Sequence, residues 1–180
     1  MARRILVCGL LLTALCATTY GADKPAPKLP APPTNAGLEK MKKLAGTWVA
    51  VGKDGKATDQ VVSIIKVTAG GSAVQETLFP GQPHEMISMY TAEGPDLILT
   101  HYCVLGNQPR MKADANATGN QLCFKFAGGA NLDPTKDRHM HEATLTLVDD
   151  DHIELTAVGW EGGAPAKEKC CDGMKLVRKK

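Results

Sequence analysis

Residues 138–160 read Arg138-His139-Met140-His141-Glu142-Ala143-Thr144-Leu145-Thr146-Leu147-Val148-Asp149-Asp150-Asp151-His152-Ile153-Glu154-Leu155-Thr156-Ala157-Val158-Gly159-Trp160. Two alternating runs flank three aspartates. In the first, His139, His141, Ala143, Leu145 and Leu147 fall on one parity, against Arg138, Met140, Glu142, Thr144 and Thr146 on the other. In the second, Ile153, Leu155, Ala157 and Gly159 oppose His152, Glu154, Thr156 and Val158. Side chains of a strand alternate between its two faces, so each run has one face for a core and one for solvent. Asp149-Asp150-Asp151 lacks the alternating ligands of a calcium loop and falls where a hairpin must turn. The segment therefore reads as an antiparallel hairpin.

The same pattern extends through the chain. Strands are expected near 47–52, 60–68, 72–79, 85–92, 96–104, 109–115, 120–127, 138–148, 152–160 and 166–177. Between them lie turn formers such as Asp54-Gly55, Gly70-Gly71, Pro80-Gly81, Glu93-Gly94-Pro95, Gly106-Asn107 and Gly162-Gly163. Regular spacing of short strands indicates an antiparallel meander, and the absence of helix-length periodic segments between them argues against a parallel α/β sheet. Ten such strands can form a sandwich or close on themselves, and closure removes the exposed edges. One short helix precedes them: Leu38, Met41 and Leu44 share a side, and Gly46 is expected to end it.

Gly46-Thr47-Trp48, a Gly-x-Trp at the start of the first strand and directly after a short helix, resembles the opening of the calycin superfamily, which includes lipocalins and fatty-acid-binding proteins. In that superfamily a basic residue of the last strand packs over the tryptophan, and Arg178 stands where it can do so. The resemblance implies an all-β fold: an antiparallel up-and-down β-barrel of about ten strands with a short N-terminal helix, its closure resting on Gly46, Trp48 and Arg178. The segments Leu99-Thr100-His101-Tyr102-Cys103 and Gly106-Asn107-Gln108-Pro109-Arg110-Met111 also resemble exported bacterial proteins of uncharacterised function that carry a lipocalin-like domain. Together the resemblances span roughly residues 38–180. The further signature segments of true lipocalins are missing, so no lipocalin's ligand carries over.

The chain has 180 residues, enough for one domain with appendages. Hydrophobic residues at 43% and charged residues at 22% are normal for a globular protein. Met1 to Ala22 runs from Arg3-Arg4 through an apolar stretch to small residues, the order of a secretory signal peptide. Residues 23–37 hold five prolines and read as a stiff spacer, leaving 38–180 as the barrel domain. The expected location is secreted or periplasmic. Twenty-one basic and 19 acidic residues become 19 and 19 once Arg3 and Arg4 are removed, which leaves no electrostatic footprint for nucleic acid. No segment after the leader is apolar enough for a transmembrane helix. Cys103, Cys123, Cys170 and Cys171 permit two disulfides in any of three pairings, and Asn116-Ala117-Thr118 is a glycosylation sequon if the host is eukaryotic.

The expected partner is a small apolar or amphipathic ligand inside the barrel. His101, Tyr90, Tyr102, Arg110, Met111 and His141 are its candidate contacts, with Met86 and Met89 as adaptable wall residues. Arg110, beside Asn107 and Gln108, would pair a ligand carboxylate, although turn chemistry accounts for the same residues. The alternative is a metal or haem protein, possibly enzymatic: His101 and Cys103 share one parity, His139 and His141 another, and four such groups converging would suit Zn²⁺ or a haem iron. Isolated histidines are more often structural. No phosphate loop, nucleophile elbow, zinc-protease helix or dinucleotide fingerprint is present, and no motif names a cofactor.

Overall fold

The computed structural model describes residues 31, 34–113, 119–168 and 171–180. The expected leader at 1–22, most of the 23–37 spacer, the sequon at 116–118 and Cys170 lie outside the described residues. The described chain runs α1 (Ala36–Lys43), β1 (Gly46–Val51), β2 (Ala57–Thr68), β3 (Ala73–Leu78), β4 (Met86–Glu93), β5 (Asp96–Tyr102), β6 (Gln108–Ala113), β7 (Gln121–Ala130), β8 (His139–Leu147), β9 (His152–Glu161), β10 (Ala164–Pro165) and β11 (Cys171–Arg178). Each strand from β1 to β9 pairs antiparallel with the next, β9 pairs with β11, and β11 returns to β1. Ten strands thus form a closed antiparallel barrel. The two-residue β10 takes the edge of β9 beyond the point where β11 joins it. The strand expected over 166–177 is observed as Cys171–Arg178, and residues 166–168 between it and β10 are not strand.

Two local expectations need correction. The helix starts at Ala36, earlier than Leu38, because the Asn35 side chain accepts a hydrogen bond from the Leu38 N–H at 3.0 Å and caps it. Its Nδ2 also donates to the Pro95 carbonyl at 2.9 Å, which ties the helix to the β4–β5 turn. At its other end the helix stops at Lys43 with Leu44 as cap. Gly46 has a different task. It opens β1 at φ +144, and a Cβ there would sit 2.8 Å from Arg178 Nη1.

Alternation turns one face of each strand inward, and helix α1 fills one end of the barrel. Val62, Val74, Leu97, Met111, Ala113, Leu122 and Leu176 are buried, and Leu38, Met41 and Leu44 of α1 complete the same cluster together with Trp48. Here α1 packs on β3, β4 and β5. Apolar burial on this scale supplies the main driving force for folding. At the opposite end the barrel is hollow.

The seam between first and last strands lies at the plugged end. Trp48 and Arg178 are register partners, and the guanidinium carbon lies 4.5 Å from the indole ring centre. Trp48 Nε1–H donates to the Leu44 carbonyl at 2.9 Å.

Candidate functional site

A cavity of about 330 Å³ occupies the hollow half of the barrel. Leu78, Met86, Leu99, Phe124, Leu155 and Met174 supply much of its apolar wall. Phe79, Cys103, Val104, Leu105, Arg138 and Cys171 line it near the strand ends opposite α1. Val104 and Leu105 are each 57% exposed, so the β5–β6 loop presents apolar side chains both to the cavity and to solvent.

Three neighbouring strands place one polar residue each at the same level. Glu76 of β3 pairs with Ser88 of β4, and Ser88 pairs with His101 of β5. Directly opposed residues share a face, so the three form a row across the wall, and all of them line the cavity. All three are nearly inaccessible, Glu76 at 6% and His101 at 3%. Ser63 Oγ donates to Glu76 Oε1 at 2.7 Å, and the Tyr90 hydroxyl donates to Oε2 at 2.6 Å. Ser88 Oγ lies 3.0 Å from His101 Nδ1.

Burial sets the protonation of this row. Desolvation raises the Glu76 carboxyl above its usual range, although the hydrogen bonds from Tyr90 and Ser63 pull the other way. Tyr90 is pushed upward by burial and then by the neighbouring carboxylate, so it remains a neutral donor. Burial lowers His101 to about 4. At neutral pH the imidazole is uncharged and exchanges hydrogen bonds as a neutral donor and acceptor.

Of the ligand contacts expected from sequence, Tyr90 and His101 line the cavity. Met111 is wholly buried between Leu99 and Phe126, its register partners, within the packed core. Tyr102 is 49% exposed. Arg110 forms an ion pair with Glu93 at the surface, and so has a carboxylate partner without a ligand. Asn107 donates to the Arg138 carbonyl at 2.8 Å and Gln108 to the Gly106 carbonyl at 2.9 Å, which is loop chemistry. Met86 lines the cavity.

His141 departs from its expected place because β8 bulges there. Met140 pairs with Gly159 and Glu142 with Val158, leaving His141 as the extra residue. Its ring is held between Trp160, at 3.8 Å and 12°, and Phe126, at 4.7 Å and 17°. His139 Nδ1–H donates to the Asp137 carbonyl at 2.8 Å, so in its neutral form the other nitrogen accepts from His141 Nδ1–H at 3.0 Å. Of the expected metal set, His101, Cys103 and His139 line the cavity and His141 does not; His101 bonds Ser88, and His139 and His141 bond each other. Among the described residues, no group of three or more His, Cys, Asp or Glu side chains is placed to hold a metal ion.

Glu76, Ser88 and Ser63 escaped the sequence reading, yet a signal for two of them was present. Glu76 shares parity with Val74 and Leu78, and Ser88 with Met86 and Tyr90. No protein-family model matches the chain, and no curated protein matches it.

Proposed function

We propose that this protein is an exported, calycin-like carrier that holds one small, mostly apolar molecule in the hollow half of its barrel, with a polar group of that molecule against Glu76, Ser88 and His101. The observation that carries this reading is the cavity itself: about 330 Å³ of largely apolar space with a few convergent polar groups on one wall. That is the usual make-up of a small-molecule site, near the lower end of the roughly 300–1,000 Å³ span of such pockets. It favours a compact ligand over a long acyl chain. The supporting resemblance is the Gly46, Trp48 and Arg178 closure, and Met1–Ala22 supports export.

Binding is tested with N-phenylnaphthylamine, a neutral apolar fluorophore. Its emission should rise and saturate with the protein, and Ala157→Leu, which puts a larger side chain on the cavity wall, should weaken it about tenfold or more. Equal binding by a variant with native circular dichroism would refute the interior site. For export, N-terminal sequencing of protein from the producing cells should begin close to residue 22. A chain that keeps Arg3 and Arg4 would count against it.

A further inference from the structure

We infer that the cavity takes an apolar amine, its protonated nitrogen held by the Glu76 carboxylate. This rests on the ligand-binding reading above and narrows it to a chemical class.

The argument starts from what Glu76 lacks. Its side chain is almost fully buried, it lines the cavity, and its protein partners are two neutral hydroxyls, Ser63 and Tyr90. Among the described residues no lysine or arginine forms an ion pair with it. A buried carboxylate without a counter-ion is costly, and a positive charge brought to it at close range offsets that cost. Each oxygen of an ionised carboxylate has room for about two hydrogen bonds, and each here receives one from the protein. The remaining capacity suits an ammonium group, which carries only donors.

The rest of the wall selects in the same direction. Ser88 and neutral His101 continue the row and add hydrogen-bonding groups without adding charge. A ligand carboxylate placed at this level would instead confront a second acid. Among the described residues the one arginine lining the cavity, Arg138, lies near the rim and has Glu168 at 3.5 Å as an ion-pair partner. Cationic nitrogen at the polar row and an alkyl or aryl body along Leu99, Phe124 and Leu155 would match both halves of the site.

Octylamine, octanol and octanoate, titrated by calorimetry into the full mature chain, separate the possibilities. Octylamine should bind about tenfold or more tightly than octanol, with octanoate weakest. Glu76→Gln should abolish the advantage of the amine and leave octanol within about threefold of its original affinity, since it removes the charge at constant shape. Octanoate matching octylamine, or an amine preference that survives Glu76→Gln, overturns the inference while the ligand-binding reading stands. If none of the three binds, that reading falls, and the inference with it. Should Glu76→Gln not fold, the ranking of the three ligands by the unaltered protein decides the matter alone.

Discussion

Arg178 lies over Trp48 with its guanidinium carbon 4.5 Å from the ring centre, and its N–H groups reach beyond the indole to three separate pieces of backbone. Nη1 donates to the Ala45 carbonyl at 2.7 Å and Nη2 to that of Lys43 at 3.2 Å, where helix α1 ends. Nε and Nη2 also donate to the Asp150 carbonyl in the β8–β9 turn, at 3.2 and 3.0 Å. One side chain of the last strand thus satisfies carbonyls that a helix terminus leaves unpaired and joins the helix, β1 and a distant turn. Arg178→Ala should destabilise the protein by about 3 kcal/mol, and Arg178→Lys should restore no more than about half, because an ammonium cannot make the planar fork. Urea unfolding measures both, and a lysine variant as stable as the parent would show that charge alone is needed.

Gly46 is the counterpart of that arrangement. Its φ of +144 is one that L side chains rarely adopt, and a Cβ would press on Arg178 Nη1 at 2.8 Å. Gly46→Ala should cost about 2 kcal/mol or more from backbone strain and the displaced guanidinium. The double variant with Arg178→Ala should lose less than the sum of the two, since the second change removes the contact offended by the first. Strict additivity in urea unfolding would mean that the residues act independently.

The barrel was legible in the sequence because period-2 alternation survives in nearly every strand and each turn carries its own glycine or aspartate. Arg178 and Trp48 could be paired across 129 intervening residues only through the family resemblance, since nothing local links them. The cavity was legible in part. Tyr90 and His101 sit on parities that pointed inward, and the same rule applied to Glu76 and Ser88 would have completed the row. A lone polar residue on an apolar parity carries no local mark of a site, because the partners that make it one lie on neighbouring strands. The bulge at His141 was invisible, since an extra residue in one strand is defined by its partner. Parity counted through it put His141 on the inner wall beside His139, whereas His139 lines the cavity and His141 does not.

Acid titration isolates His101. Its pKa falls from 6.5 to about 4 on folding, because burial disfavours the imidazolium. Above pH 6.5 the residue is neutral in both states and contributes no pH dependence. Between pH 6.5 and about 4 the unfolded chain gains a proton that the folded one refuses, so stability falls as pH falls, by about 3 kcal/mol in all. Glu76 acts in the opposite sense: its raised folded pKa favours the native state as pH drops toward 4.5. The parent curve blends the two, so His101→Asn is the comparison of interest. The parent should lose stability relative to this variant between pH 7 and 4, and a gap independent of pH would refute the account.

The thiols give a local test of where ligand enters. Cys103 lines the cavity near its rim, whereas Cys123 is exposed on β7. In a variant with Cys123, Cys170 and Cys171 changed to Ser, a bulky maleimide on Cys103 should weaken N-phenylnaphthylamine binding about tenfold or more by filling space the probe needs. The same adduct on Cys123, in a variant with Cys103, Cys170 and Cys171 changed to Ser, should leave the affinity within about twofold. Equal loss from both positions would place the binding site elsewhere.

Trp160 reports on the histidine beside it. His141 stacks on the indole at 3.8 Å, and its Nδ1 lies 3.0 Å from His139 Nε2, which leaves Nε2 of His141 clear of that bond. Burial, and then the proximity of His139, lowers the pKa of His141 below 6.5, with Glu142 opposing. Once charged, the imidazolium lies against the indole face and quenches its emission, an arrangement favoured by the ring's negative face. In a Trp48→Phe background, which leaves Trp160 as the sole tryptophan, fluorescence should fall with a midpoint below pH 6.5 and in a reversible step. His141→Gln should flatten that step without unfolding the barrel. A step that persists in the glutamine variant would assign the quenching to another group.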